Sequence, residues 1–175
     1  KGMRSGTENV AGIVGMATAL KDATDNMAEK TEKIVALREK LITGILESVP
    51  YTRLNGHREK RLPNNTSFCF KYIEGESLLL SLDLKGYIVS SGSACTSGSL
   101  DPSHVLLAIG LKHEEAHGSL RVSFDTSNTP EDVETIARAV AEIVDRLRQM
   151  SPLWNQELDY DGVMCKKDHD DCRRC

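Results

Sequence analysis

The segment 90–102, SSGSACTSGSLDP, sets one thiol among five serines, one threonine and two glycines. Apart from Leu100 it has nothing large and apolar to bury, so it is expected to form a surface loop. Cysteine is normally a buried residue. Cys95 on such a loop is therefore badly placed for packing and well placed to react with solvent, a substrate or a partner protein. The other reading of the loop alone is an incidental exposed thiol. Arg121 is the second candidate, in the middle of the alternating run SLRVSF at 119–124. Leu120, Val122 and Phe124 fall on one face of that strand and Ser119, Arg121 and Ser123 on the other. A guanidinium fixed there can clamp a carboxylate through two hydrogen bonds, or it can be an arginine on a solvated sheet face. Near the start of the chain, Thr7 reads as the N-cap of a helix. With the free amides of the first turn and Arg4 it would make an anion site, the alternative being a plain capped helix. Finally, Cys165, His169, Cys172 and Cys175 spell C-x3-H-x2-C-x2-C, which has the right atoms for zinc or an iron–sulfur centre. The spacing is tight and the segment highly charged, so adventitious thiols on a polar tail are the competing account.

The elements that must position these residues are legible from periodicity. A first helix carries Val10, Ile13, Val14, Ala17 and Leu20 on one side, and Gly12 and Gly15 would let it lie close to another backbone. A second is expected over 25–49, with Ile34, Leu37, Leu41, Ile45 and Val49 inward, Arg38 and its charged neighbours solvated, and Pro50 as its stop. Strands are expected at 51–54, 66–73, 87–89 and 119–124, with Asn55-Gly56 in a turn and Cys69 a strand residue without chemistry. His57, in the polar loop that follows, has no recognisable partner. Between the strands, 75–84 reads as a short buried helix closed by Gly86. Asp101 reads as the N-cap, with Pro102 after it, of a helix over 103–109 that ends at Gly110. His113, Glu115 and His117 form a polar cluster. Thr129-Pro130-Glu131-Asp132 opens the clearest helix, with Val133, Ile136, Ala137, Val140, Ile143, Val144, Leu147 and Met150 at helical spacing. The loop at 90–102 is thus slung between a strand end and a helix start. The fold class is α/β, a small, mostly antiparallel sheet covered on one side by helices, with long N-terminal helices leading in.

Composition narrows the function. A chain of 175 residues can bury one good core. Charged residues make up 27% and the net charge is −4, which argues against a general nucleic-acid surface. No apolar run approaches the roughly 18–20 residues of a membrane span, and no signal peptide is read. The chain opens on Lys1, so the sequence is expected to begin after a cut or a truncation. The five cysteines are odd in number and three lie in the last eleven residues, which is not a disulfide framework and suits a reducing, intracellular compartment.

RSGTEN at 4–9, SSGSACTSGSLDPSHVLLAIGL at 90–111 and HGSLRVSF at 117–124 together resemble the C-terminal portion of a cysteine desulfurase, of the nitrogen-fixation and iron–sulfur-assembly branch. SPLW at 151–154 resembles the end of that family's last helix, and the tail from 155 on is not part of the pattern. The resemblance implies the small domain of a fold-type I pyridoxal-phosphate enzyme. Such enzymes are cytoplasmic homodimers that take sulfur from L-cysteine, leave alanine, and pass a persulfide to an iron–sulfur scaffold protein. It implies that Cys95 is the nucleophile and sulfur carrier, that Arg121 holds the substrate carboxylate, and that Thr7 reaches the cofactor phosphate of the neighbouring subunit. The family's Schiff-base lysine, in a Ser-x-His-Lys segment, has no counterpart here. The expectation is therefore a C-terminal fragment: linking helices over 1–49, the small domain over 50–154 and a cysteine-rich tail over 155–175. Alone it would not hold the cofactor or turn over cysteine, yet it could accept and pass on sulfur. The rivals are a non-catalytic sulfur-carrier or scaffold-docking module, and a selenocysteine lyase-like pyridoxal-phosphate enzyme, against which the long delivery loop counts.

Overall fold

The computed structural model describes residue 2, residues 5–91 and residues 102–154. Its elements run α1 (Val10–Thr24), α2 (Met27–Ser48), β1 (Thr52–Leu54), β2 (Asn65–Phe70), α3 (Gly75–Leu84), α4 (His104–Ala108), α5 (His113–His117), β3 (Ser119–Ser123) and α6 (Pro130–Gln149). The strands form one antiparallel sheet in the order β1-β2-β3, with Arg53 opposite Cys69 and Ser67 opposite Arg121.

Alternation along β2 and β3 gives the sheet its core face. Phe68, Phe70, Leu120 and Val122 point the same way and are buried with Leu41, Ile42 and Ile45 of α2, Leu78 and Leu82 of α3, and Val133, Val140 and Val144 of α6. Each such fully buried side chain contributes roughly 1.5–3 kcal/mol of transfer free energy. The second half of α2 is thus a wall of this core. The other face carries a smaller cluster, in which Cys69 packs with Leu106, Leu111 and Ala116 from α4, α5 and the turn between them. The sheet is covered in part on both sides, where one covered side was expected.

Caps fix the helix ends. Thr129 and Asp132 exchange hydrogen bonds across the first turn of α6, Thr129 N to Asp132 Oδ2 at 2.8 Å and Asp132 N to Thr129 Oγ1 at 3.2 Å. At the end of α3, Gly86 N bonds Asp83 O and Tyr87 N bonds Leu82 O, the paired bonds of a glycine C-cap with Gly86 at φ +85°. Gly110 closes α4 in the same way, setting Leu111 against Leu106. The cap of α4 is Ser103, where Asp101 was expected; Asp101 lies outside the described residues.

Several expectations change. The cap of α1 is Asn9, whose side chain accepts from Gly12 N at 3.0 Å, and Thr7 precedes the helix without capping it. A carboxamide one turn below Gly12 is simply closer to the free amide than a hydroxyl two residues further back. α1 buries none of its residues, so the apolar side read from its spacing has no cover among the described residues. Residues 87–89 do not form a strand. The glycine cap ties Tyr87 back to α3, Ile88 is exposed, and only Ser90 pairs with the sheet. Arg38, expected in solvent, is buried, donating to Glu39 Oε1 at 2.8 Å and to the Leu62 carbonyl at 3.3 Å. Met150 is exposed, while Arg148 is the buried residue of the last turn. Its guanidinium stacks on Trp154 and Tyr51 and donates to the carbonyls of Lys71 and Tyr51. Burial pushes it down to about 10. Tyr51 and Tyr72 both sit at positive φ, 54° and 68°, so this clasp holds backbone that costs about 1–3 kcal/mol to maintain.

Candidate active-site face

The residues of interest sit on the side of the sheet away from the main core. Strand pairing places side chains of opposed residues on the same face, so Arg53, Ser67, Cys69, Ser119 and Arg121 share it. α4 and α5 cover its β1 end, and Arg121, towards the other end, is exposed. Among the described residues the Arg121 guanidinium has no hydrogen bond or ion pair. The backbone of this strand-borne cation is held on both sides, by Ser67 of β2 on one and by a second partner on the other.

The second hold is Ser90. Ser90 N donates to Arg121 O at 3.1 Å and Arg121 N donates to Ser90 O at 2.6 Å, a single antiparallel bridge. The stem of the serine-rich segment is thereby pinned to the backbone of Arg121. Its far stem is fixed too, because Pro102 and Ser103 are buried where α4 begins. Cys95, Gly92 and the rest of 92–101 lie outside the described residues, as do Arg4 and the tail set Cys165, His169, Cys172 and Cys175.

Cys69, on the same face, is a different kind of thiol. It is 3% exposed, and burial pushes it up, against weaker pulls from the Asn55 amide and the Arg53 charge. Asn55 Nδ2 donates to Ser67 Oγ at 3.1 Å and to Cys69 Sγ at 3.3 Å, tying the hairpin turn to the face. A thiol held neutral and covered is inert, as its strand position suggested. Arg53 donates to the carbonyl of Ile109 at 3.4 Å, fastening the end of α4 to β1. His57, without an assigned partner from sequence, accepts the amides of Glu59 and Lys60 through Nδ1 and shapes the loop there. Thr7 is exposed, and its hydroxyl has no partner among the described residues.

Sequence reasoning found Arg121 but missed the Ser90 bridge, Asn55 and Arg53. Asn-Gly at 55–56 read as a turn signal, and nothing in the sequence says which carbonyl an arginine reaches. A cleft of about 350 Å³ lies at the outer edge of β3, between residues 86–89 and Phe124, Asp132 and Ile136, and Arg121 is not among its lining residues.

Residues 1–136 match the family model described as aminotransferase class-V. This chain belongs to that family. Class-V aminotransferase relatives include the cysteine desulfurase IscS of Clostridium botulinum (strain Hall), 53% identical over 160 residues, with 90% of this chain and 40% of the relative covered. Cysteine desulfurase NifS of Azotobacter vinelandii is 44% identical over 155 residues, covering 89% of this chain and 39% of that protein. Among solved structures, the NifS-like protein from Rickettsia africae superposes with a TM-score of 0.71 at 37% identity, over 81% of this chain and 36% of that one. The chain spans about 40% of the length of the curated relatives it matches. As an aminotransferase class-V chain it has the helix-rich α/β architecture expected, and no helix among the described residues is long and apolar enough to cross a membrane.

Proposed function

We propose that this chain is the small-domain portion of a cysteine desulfurase, L-cysteine to L-alanine with a protein persulfide, supplying sulfur for iron–sulfur assembly. The observation that carries the reading is the Ser90–Arg121 bridge. It roots the thiol-bearing segment beside a guanidinium that has no partner among the described residues, on a strand of the sheet. Arg121 takes the substrate carboxylate in two charge-assisted hydrogen bonds and so fixes where the substrate's sulfur lies. Covalent geometry keeps Cys95 within about 18 Å of Ser90. That bound suits a thiol that takes sulfur near Arg121 and hands it outward. The Cys95 thiolate attacks the sulfur of cysteine, a sulfur–sulfur bond forms as the carbon–sulfur bond breaks with its electron pair left on carbon, and that carbon takes up a proton so that the skeleton leaves as alanine. Relatives named cysteine desulfurase at 44–53% identity support this chemistry.

The cofactor of the reading is pyridoxal phosphate, which supplies the electron sink for breaking that bond. The described residues do not make a site for it. Thr7 offers one hydroxyl, Asn9 already occupies the first-turn amide of Gly12, and Lys71, on the Arg121 side of β2, is paired with Glu115 at 3.6 Å. In this reading the Schiff-base lysine lies outside the chain, and Thr7 contributes to the phosphate site of a neighbouring subunit in a homodimer. The uncovered α1 then lies against the remainder of the enzyme. Residues 1–49 link, with α2 also walling the core, 50–154 form the small domain and 155–175 the tail. The compartment is cytoplasmic and the acceptor a scaffold protein. Cys165, His169, Cys172 and Cys175 remain a zinc or iron–sulfur ligand set on spacing alone.

The test uses the assembled, cofactor-loaded enzyme given L-cysteine, with alanine and protein-bound persulfide followed by mass spectrometry. Cys95→Ala is expected to abolish the persulfide and sulfur transfer, and retained transfer would sink the assignment of Cys95. Arg121→Lys loses the fork geometry and is expected to raise KM for L-cysteine roughly 10-fold or more. Alanine formed with no persulfide on any thiol would favour a lyase instead.

A further inference from the structure

The reaction above leaves α5 unused. Its sequence, HEEAH, places His113 and His117 four residues apart, one turn along the same side of a helix. Their ring centres are 6.1 Å apart with the planes inclined at 62°. His113 is exposed and His117 half-buried, and neither ring has a hydrogen bond or ion pair among the described residues. The helix under them is fixed. Ala116 is buried against Cys69, and Glu115 is held by Lys71 at 3.6 Å and by Lys112 N at 3.3 Å.

Two imidazoles one turn apart are the ligand pair that borderline divalent transition metals take from a helix, through nitrogens about 2.0–2.1 Å from the ion. A tetrahedral ion held so would bring the ring centres to about 5 Å, roughly 1 Å closer than they stand, a change that side-chain torsions supply. We propose that His113 and His117 form a two-imidazole site for a zinc-class divalent ion, with water in the remaining positions. Magnesium and calcium, which prefer oxygen ligands, are not its cargo. Nor is it a protease-type centre, since no group of three or more His, Cys, Asp or Glu able to hold a metal exists among the described residues. His117 leads through Gly118 directly into β3, so a bound ion would brace the entry to the strand that carries Arg121.

The test must separate this site from the tail thiols. The full chain carrying Cys165→Ser, Cys172→Ser and Cys175→Ser is titrated with Zn2+ by calorimetry, alone and with His113→Ala or His117→Ala added. Each histidine variant is expected to weaken binding at one site at least 10-fold, with no heat from Mg2+ in any background. An isotherm unchanged by both variants would overturn the proposal. In parallel, substoichiometric Cu2+ is added while the imidazole NMR signals are followed, a readout that needs no substitution at α5. Selective broadening of His113 and His117 is expected. Equal broadening of His57 and His104 would overturn the site.

Discussion

The two faces of the sheet are built from the same strands and differ in almost everything else. On one, Phe68, Phe70, Leu120 and Val122 are closed in by three helices. On the other, one residue along, Ser67, Cys69 and Arg121 meet two five-residue helices that cover one end and leave Arg121 exposed. The first face bears the stability and the second is free to carry a charge. A strand lets neighbours in sequence take opposite jobs because its side chains alternate with a period of two. Rigidity made on one side is lent to the other through the shared backbone. That is how Arg121 can have a solvent-accessible side chain on a fixed backbone.

The contrast can be broken most severely on the packed face. Phe68→Ala is expected to cost about 3–5 kcal/mol in urea unfolding of this chain. A loss below about 1 kcal/mol would mean the core face is not what holds the sheet. Next is Gly118, where the faces meet at the entrance to β3. A Cβ there would sit 2.1 Å from the Phe70 carbonyl oxygen, which is backbone and cannot rotate away. Gly118→Ala is expected to cost at least about 1–3 kcal/mol and to speed hydrogen exchange at the Phe70 amide, which bonds Gly118 O at 2.9 Å. Unchanged exchange would show that the turn can shift.

Thr129→Ala removes the cap of α6 and is expected to cost about 1 kcal/mol. The pH dependence sharpens this. Hydrogen bonding from the Thr129 amide, then from its hydroxyl, holds the Asp132 carboxyl below its usual value. A group depressed in the folded state stabilises above its unfolded pKa, about 3.9, and the contribution fades as pH falls through the lower folded value. Asp132→Asn should therefore be less stable than the parent at pH 7, with the gap closing below about pH 4. A gap constant with pH would remove the carboxylate from the cap. Smallest of all, Arg121→Gln should leave stability within about 0.5 kcal/mol, since the side chain holds nothing among the described residues. A loss above about 1 kcal/mol would make Arg121 structural and weaken its role toward substrate.

Much of this was legible in the chain because the signals are local. The Thr129–Asp132 cap, the Gly86 and Gly110 stops, and the inward set of α6 from Val133 to Val144 each depend on residues within a turn or two of one another. Arg121 showed itself by alternation, opposite Leu120 and Val122. What failed did so where two local forces competed or where a partner came from afar. Thr7 and Asn9 are both good caps, and sequence gives no means of ranking them without the backbone path. Residues 87–89 alternate well enough for a strand, but the glycine cap at Gly86 draws Tyr87 back to α3. Arg38 read as solvated because arginine usually is, and Arg148 gave no signal in the sequence. Both are buried because carbonyls from distant segments, at Leu62, Lys71 and Tyr51, satisfy their donors.

By itself the amino-acid sequence determined most of the element types, the apolar faces of α2 and α6, and which thiol and which guanidinium are candidates for chemistry. Those follow from side-chain size, charge and period, which each residue carries wherever it goes. The tertiary structure alone decided that Ser90 pairs with Arg121, that Cys69 is sealed under Leu106, Leu111 and Ala116, and that the rings of His113 and His117 stand 6.1 Å apart on a braced helix. Each of these is a meeting of residues brought together by packing, and packing is set by the whole core at once.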